Sequence, residues 1–152
     1  MNEQIFFDYL IGEWLVERKI INKLSSSFSA VAFGRASIIK KNKNTLNYRE
    51  LLKVKWANAF ISNAHKQYDY VLDNAGKLGL YNYDHDGMSF MFNLGFEPNL
   101  GNIIKGQYQC VQDFYYTTYE IINYDQFVLT FKVNGPKKDY SIVSSFTRGG
   151  EV

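Results

Sequence analysis

The chain has 152 residues, 46% of them hydrophobic, and 17 basic against 15 acidic side chains leave a net charge of +2. A domain of that length buries roughly 70% of its unfolded surface, and 11 Gly with only 2 Pro exclude a collagen-like or low-complexity chain. Near-balanced charge supplies no strong field for a polyanion, so nucleic acid is not an expected partner.

Asn2 is suited to cap a short helix over Glu3 to Leu10, where Ile5, Phe6, Tyr9 and Leu10 form one apolar stripe and Gly12 supplies the stop. From Glu13 the period becomes two, with Trp14, Val16, Arg18 and Ile20 on one face of a first strand. Ser25-Ser26-Ser27 breaks the pattern. A second strand is expected from Phe28 to Lys40, bending at Gly34 and Ala36.

Lys41 to Asn44 reads as a turn, and Leu46, Tyr48, Glu50, Leu52, Val54 and Trp56 alternate along a third strand. The fourth is expected over Ala59 to Val71, then a turn at Asp73 to Gly76 and a fifth strand over Leu78 to Tyr83. The hairpin Asp84-His85-Asp86-Gly87 leads into Met88 to Leu94. A longer loop is expected from Phe96 to Gly106, around Pro98 and Gly101. Strands follow at Gln107 to Gln112, Phe114 to Asn123, Gln126 to Asn134 and, after Gly135-Pro136-Lys137-Lys138, Asp139 to Arg148.

One helix and about ten strands with short connections predict an all-β, closed, antiparallel up-and-down barrel spanning 1–152 as a single domain. Composition agrees, since 12 Tyr and 12 Phe suit half-buried strand positions. A sandwich is the alternative. The lysine clusters at Lys40, Lys41 and Lys43 and at Lys137 and Lys138 lie beside turns and read as solvated loop tips.

Cys110 is the only cysteine and the start Met1-Asn2-Glu3-Gln4 lacks a secretory pattern, so a cytoplasmic location is expected. No apolar run approaches the 18 or so residues of a membrane-spanning helix. Nothing in the residues fixes an oligomeric state.

Arg148 shares the core face of the last strand with Tyr140, Ile142 and Phe146 and needs a partner there. If the first strand closes on the last, Trp14 offers its ring as a stacking surface, a structural role. Gly12-Glu13-Trp14 after a short helix, with Arg148 at the close, resembles the Gly-x-Trp and terminal Arg signature of lipocalins and their calycin relatives.

A fuller resemblance, over nearly the whole chain, is to an uncharacterised lipocalin-like family catalogued as a domain of unknown function. It is carried by Gly12-x-Trp14 with Arg18, Tyr48-x-Glu50, Tyr68, Asp86-Gly87 with Phe90, and Cys110-x-x-Asp113-x-Tyr115. Val133-x-Gly135-Pro136-Lys137-Lys138-Asp139-Tyr140 is its most specific stretch. The chain has Met88, Met91 and Tyr108 where the family often carries Arg or His. The resemblance implies a barrel with a central cavity and names no reaction, because a shared fold does not fix function.

The strand phases give Tyr48, Glu50, Tyr68, Tyr115, Lys138 and Tyr140 as the expected polar lining of such a cavity. Aromatic rings with a carboxylate and an ammonium suit a small amphipathic or hydrophobic ligand. Glu50 and Lys138 are expected either to orient its polar head or to pair with each other when the site is empty.

The sharper chemical readings find little support. His65 and His85 are the only ready bases near neutral pH, yet one lies on a polar strand face and the other in a turn. Cys110 with Asp113 lacks a nearby histidine, and a lone cysteine of this kind is expected to fill core space. Asp113 and Asp139 each sit beside a turn, and no spacing brings them together. No metal-ligand spacing occurs, Gly76-Lys77-Leu78-Gly79 lacks the ending of a phosphate loop, and the Asp84 turn lacks the later oxygen ligands for calcium.

No cofactor is called for. Three functional classes follow: a binding module, an enzyme of lyase-like kind using Glu50 with Tyr48, Tyr115 or Tyr140, and a closed structural or interaction domain. A raised carboxyl pKa at Glu50 would favour the second, and an exposed apolar patch in place of a cavity the third.

Overall fold

Asn2 caps the first element through its side chain, which accepts from the Ile5 N–H at 3.0 Å, and α1 (Glu3–Leu10) follows. A computed structural model describes residues 1–84 and 87–149. After α1 the chain is strands: β1 (Gly12–Asn22), β2 (Ala30–Asn42), β3 (Thr45–Trp56), β4 (Ile61–Leu72), β5 (Leu78–Asp84), β6 (Gly87–Glu97), β7 (Leu100–Cys110), β8 (Asp113–Asn123), β9 (Gln126–Gly135) and β10 (Lys138–Arg148). A short 3-10 turn, Ser26–Phe28, lies between β1 and β2.

Each strand pairs antiparallel with its chain neighbours, and β1 also pairs with β10, so the sheet closes as a ten-stranded up-and-down barrel. Closure follows from the period-two pattern: with one apolar face on every strand, a cylinder buries all those faces and leaves no free edge. The register sets Trp14 opposite Arg148 on β1 and β10.

The helix stops one end of the barrel. Phe6, Phe7, Tyr9 and Leu10 are buried, and Trp14, Tyr119, Phe127 and Phe146 lie in the same core. Ile5, expected on the buried stripe, is 50% exposed, and Phe7 takes the buried place instead. The helix therefore presents a face rotated from the one expected. Tyr9 fixes it by donating to the carbonyls of Asn123 at 2.8 Å and Gln126 at 3.1 Å.

Gly12 begins β1 at φ +141°, and a Cβ there would come within 2.7 Å of Arg148 Nη1, so both the backbone and the arginine require glycine. The expected long loop over Phe96 to Gly106 is not present. β6 runs to Glu97 and β7 starts at Leu100, so Pro98 and Asn99 alone make a tight turn. Proline fits there because no ladder N–H is needed between strands. Phe28, expected to start the second strand, ends the 3-10 turn instead.

Cys110 is exposed at the end of β7 beside the Val111-Gln112 turn and does not fill the core. His65 is also exposed, and His85 lies outside the described residues. Among the described residues no helix is long and apolar enough to cross a membrane.

Candidate functional site

The barrel interior has two halves. Toward the helix it is filled by aromatic side chains, whereas the far half encloses a cavity of about 210 Å³. At about 30 Å³ per water molecule, this is space for roughly seven waters, so the interior is not closed by side chains.

The polar side of the cavity begins with Arg18 on β1. Its Nη1 and Nη2 donate to the two carboxylate oxygens of Glu50 on β3 at 2.7 and 2.8 Å, and its Nε donates to Ser144 Oγ at 2.7 Å. β2 lies between these strands, with Ala32, Gly34 and Ala36 on its inner face, and those small residues leave room for the guanidinium to cross. The Tyr48 hydroxyl donates to Glu50 Oε1 at 2.5 Å. Burial alone would raise the Glu50 carboxyl, but the Arg18 fork, with Tyr48, holds it below its ordinary value. Burial likewise acts against the Arg18 charge, and Glu50 outweighs it, so the guanidinium stays firmly protonated.

Lys66 on β4 stands beside this pair. It faces Glu50 across the β3–β4 ladder, lines the cavity, and holds its ammonium 5.8 Å from the Tyr68 ring centroid. No hydrogen bond or ion pair reaches its ammonium among the described residues. The side chain is exposed to solvent, yet the barrel wall around its base pushes its pKa down, with Glu50 opposing and Arg18 adding to the shift. Arg18 and Glu50 cancel, so the cavity retains one positive charge.

Beneath lies a tyrosine floor. Tyr48 and Tyr68 stack with centroids 4.2 Å apart, and the hydroxyls of Tyr70 and Tyr119 share a 2.6 Å hydrogen bond. Burial pushes Tyr119 up to about 12 and Tyr68 and Tyr70 well above their ordinary value, so these hydroxyls stay protonated. The opposite wall is apolar, from Leu80, Phe92, Leu129, Phe131 and Ile142.

Of the six residues expected to line the site, Glu50, Tyr68 and Tyr140 border the cavity. Tyr48 is buried under it, against the lining residues Glu50 and Tyr68. Tyr115 and Lys138 lie apart, where Lys138 Nζ donates to Tyr115 Oη at 3.2 Å and pairs with Asp113 at 3.2 Å. Hydrogen bonding to Tyr115 and Asp113 raises the Lys138 pKa. The expected Glu50–Lys138 pair does not form: Glu50 takes Arg18, and Lys138, at the start of β10, takes Asp113 and Tyr115.

Arg18, Lys66, Thr117 and Tyr119 were not expected at the site. The signal for two of them is in the sequence: Arg18 shares the phase of Trp14 and Val16, and Lys66 that of Tyr68. Among the described residues no three His, Cys, Asp or Glu side chains gather as a metal site.

A family model described as a family of unknown function (DUF6314) matches residues 10–148. No curated protein matches the chain. Among solved structures it is similar to the S-type phycobiliprotein lyase CPES from Guillardia theta, at TM-score 0.72 and 9% identity, covering 100% of this chain and 95% of that one. It is also similar to a de novo designed fluorescence-activating β-barrel, at TM-score 0.47 and 10% identity, over 93% of this chain and 95% of that one. At 9% identity the likeness to the lyase establishes a shared fold.

Proposed function

The chain belongs to this family of unknown function (DUF6314), and we propose that its barrel binds a small amphipathic molecule carrying an acidic group. The observation that carries the reading is Lys66, a solvent-accessible cation that lines an otherwise neutralised cavity without a hydrogen-bonding or ion-pair partner among the described residues. An acidic ligand group that enters the cavity supplies the partner this ammonium lacks. The wall of Leu80, Phe92, Leu129, Phe131 and Ile142 then takes the apolar body.

A lyase-like reaction with Glu50 as acid or base is less well supported. Arg18 and Tyr48 hold Glu50 ionised, which removes the proton a general acid would give and weakens it as a base. A purely structural role leaves the cavity and its charge without a use.

Calorimetric titration with hexanoate and with hexanol tests the proposal. Hexanoate is expected to bind at least tenfold more tightly, and Lys66→Met to erase that difference while the protein remains folded. Equal binding of the two, or binding of neither, overturns it.

A further inference from the structure

The ladder between β6 and β7 is short. It pairs Gly95 with Lys105, Phe96 with Ile104 and Glu97 with Leu100, and it does not continue along Met88 to Leu94 and Gly106 to Cys110. On their other edges these two strands stay paired, β6 with β5 and β7 with β8, while the β4–β5 ladder, which ends at Tyr68 and Asn82, is short as well. A register shift opposite Leu80 and Tyr81 makes Met91 an extra residue beside that seam.

A groove of about 600 Å³ follows the seam. In a continuous sheet the hydrogen-bonded backbone separates inward from outward side chains. Here outward Phe90, Gln107 and Tyr116 line the same groove as inward Phe92, Tyr108 and Thr117. Met91, Phe92 and Thr117 line the interior cavity as well. Those three side chains stand between the two spaces, with the Asn93 carbonyl close to Gly106 at the end of the ladder.

Phe92 is the largest of those dividers. Its ring stacks on Tyr108 at 5.6 Å and covers Gly106, where a Cβ would come within 2.5 Å of the ring. Gly106 thus lets an aromatic ring pack over the seam where the ladder stops. Ring rotation is a far smaller change than parting a hydrogen-bonded ladder.

We propose that the β6–β7 seam is a lateral portal, through which the apolar tail of an anionic amphiphile leaves the cavity while its head remains at Lys66. This rests on the binding function proposed above and extends it to longer ligands. The cavity takes about seven water volumes, at about 30 Å³ each, which is close to the size of hexanoate. A longer acid overflows, and the groove beyond Phe92 offers its tail the aromatic surfaces of Phe90, Tyr108 and Tyr116.

The test is a series of straight-chain carboxylates from hexanoate to dodecanoate, titrated calorimetrically into the wild-type chain, Gln107→Trp and Phe90→Glu. Both positions are exposed on the groove and outside the cavity. Each methylene withdrawn from water tightens binding roughly fourfold, so wild-type affinity is expected to rise at least tenfold along the series. Gln107→Trp fills the groove and Phe90→Glu places a negative charge there. Each is expected to flatten the series while hexanoate binds as before, which also reports correct folding. A flat wild-type series, or a rising one that neither variant changes, overturns the portal and leaves the binding function standing. Failure of the wild type to bind hexanoate overturns both.

Discussion

The guanidinium of Arg148 lies 4.1 Å from the ring centroid of Trp14, directly across the β1–β10 ladder that closes the barrel. It also lies 4.3 Å from the Tyr124 ring and donates to the carbonyls of Tyr9 at 2.8 Å, Ile11 at 2.8 Å and Tyr124 at 3.2 Å. One side chain thus ties the last strand to the C-terminal end of the helix, whose carbonyls favour a cation.

Arg148→Lys is expected to destabilise the protein by about 1–3 kcal/mol, because a point-charge ammonium replaces neither the planar fork nor its stacking. In a chain of this size that lowers the melting temperature by roughly 2–4 °C per kcal/mol. Circular dichroism melts check it. A melting point within about 1 °C of wild type would show that closure does not depend on this residue.

Glu50→Gln leaves the Arg18 guanidinium buried without its counter-charge. Breaking one side of such a pair costs about 3–5 kcal/mol, whereas removing both sides is far cheaper. The double variant Arg18→Met with Glu50→Leu is therefore expected to be more stable than Glu50→Gln in urea unfolding. The reverse order would mean that the pair is not what holds this part of the barrel together.

The same pair sets an acid limb. The folded Glu50 pKa lies below its ordinary value of 4.5, so its contribution is fully present above pH 4.5 and is lost as pH falls through the folded value. Stability measured from pH 6 to pH 3 is expected to fall more steeply for wild type than for Glu50→Gln, and parallel curves would contradict the assignment.

Much of the barrel was legible from alternation alone, because ten strands with one apolar face each have few ways to hide those faces. The β6–β7 hairpin was not, since Pro98 and Gly101 mark a long loop as readily as a two-residue turn between glycine-containing strands. At the site, strand phase was enough to point Glu50, Tyr68 and Tyr140 inward. Phase says nothing about which inward groups meet. That Glu50 takes Arg18 and not Lys138 depends on register across three strands and on the small inner residues of β2. Lys66 was hidden for another reason: a lysine on a strand is ordinarily outward, and its neighbours His65 and Gln67 are polar as well.

Lys66 supplies the last prediction. Its folded pKa is below the ordinary 10.5, so the unfolded chain binds the proton more readily and stability rises with pH from the folded value up to 10.5. At neutral pH the charge is a penalty, and Lys66→Met is expected to melt higher than wild type, with the gap narrowing toward pH 10.5. A bound carboxylate reverses the balance by favouring the ammonium, so binding must take up protons once pH exceeds the unliganded Lys66 value. Hexanoate affinity should fall with rising pH there, by at most about tenfold per unit, with none of that dependence left in Lys66→Met. Titration in two buffers of different ionisation enthalpy counts the protons. A pH-independent affinity with no uptake would place the acidic group of the ligand away from Lys66.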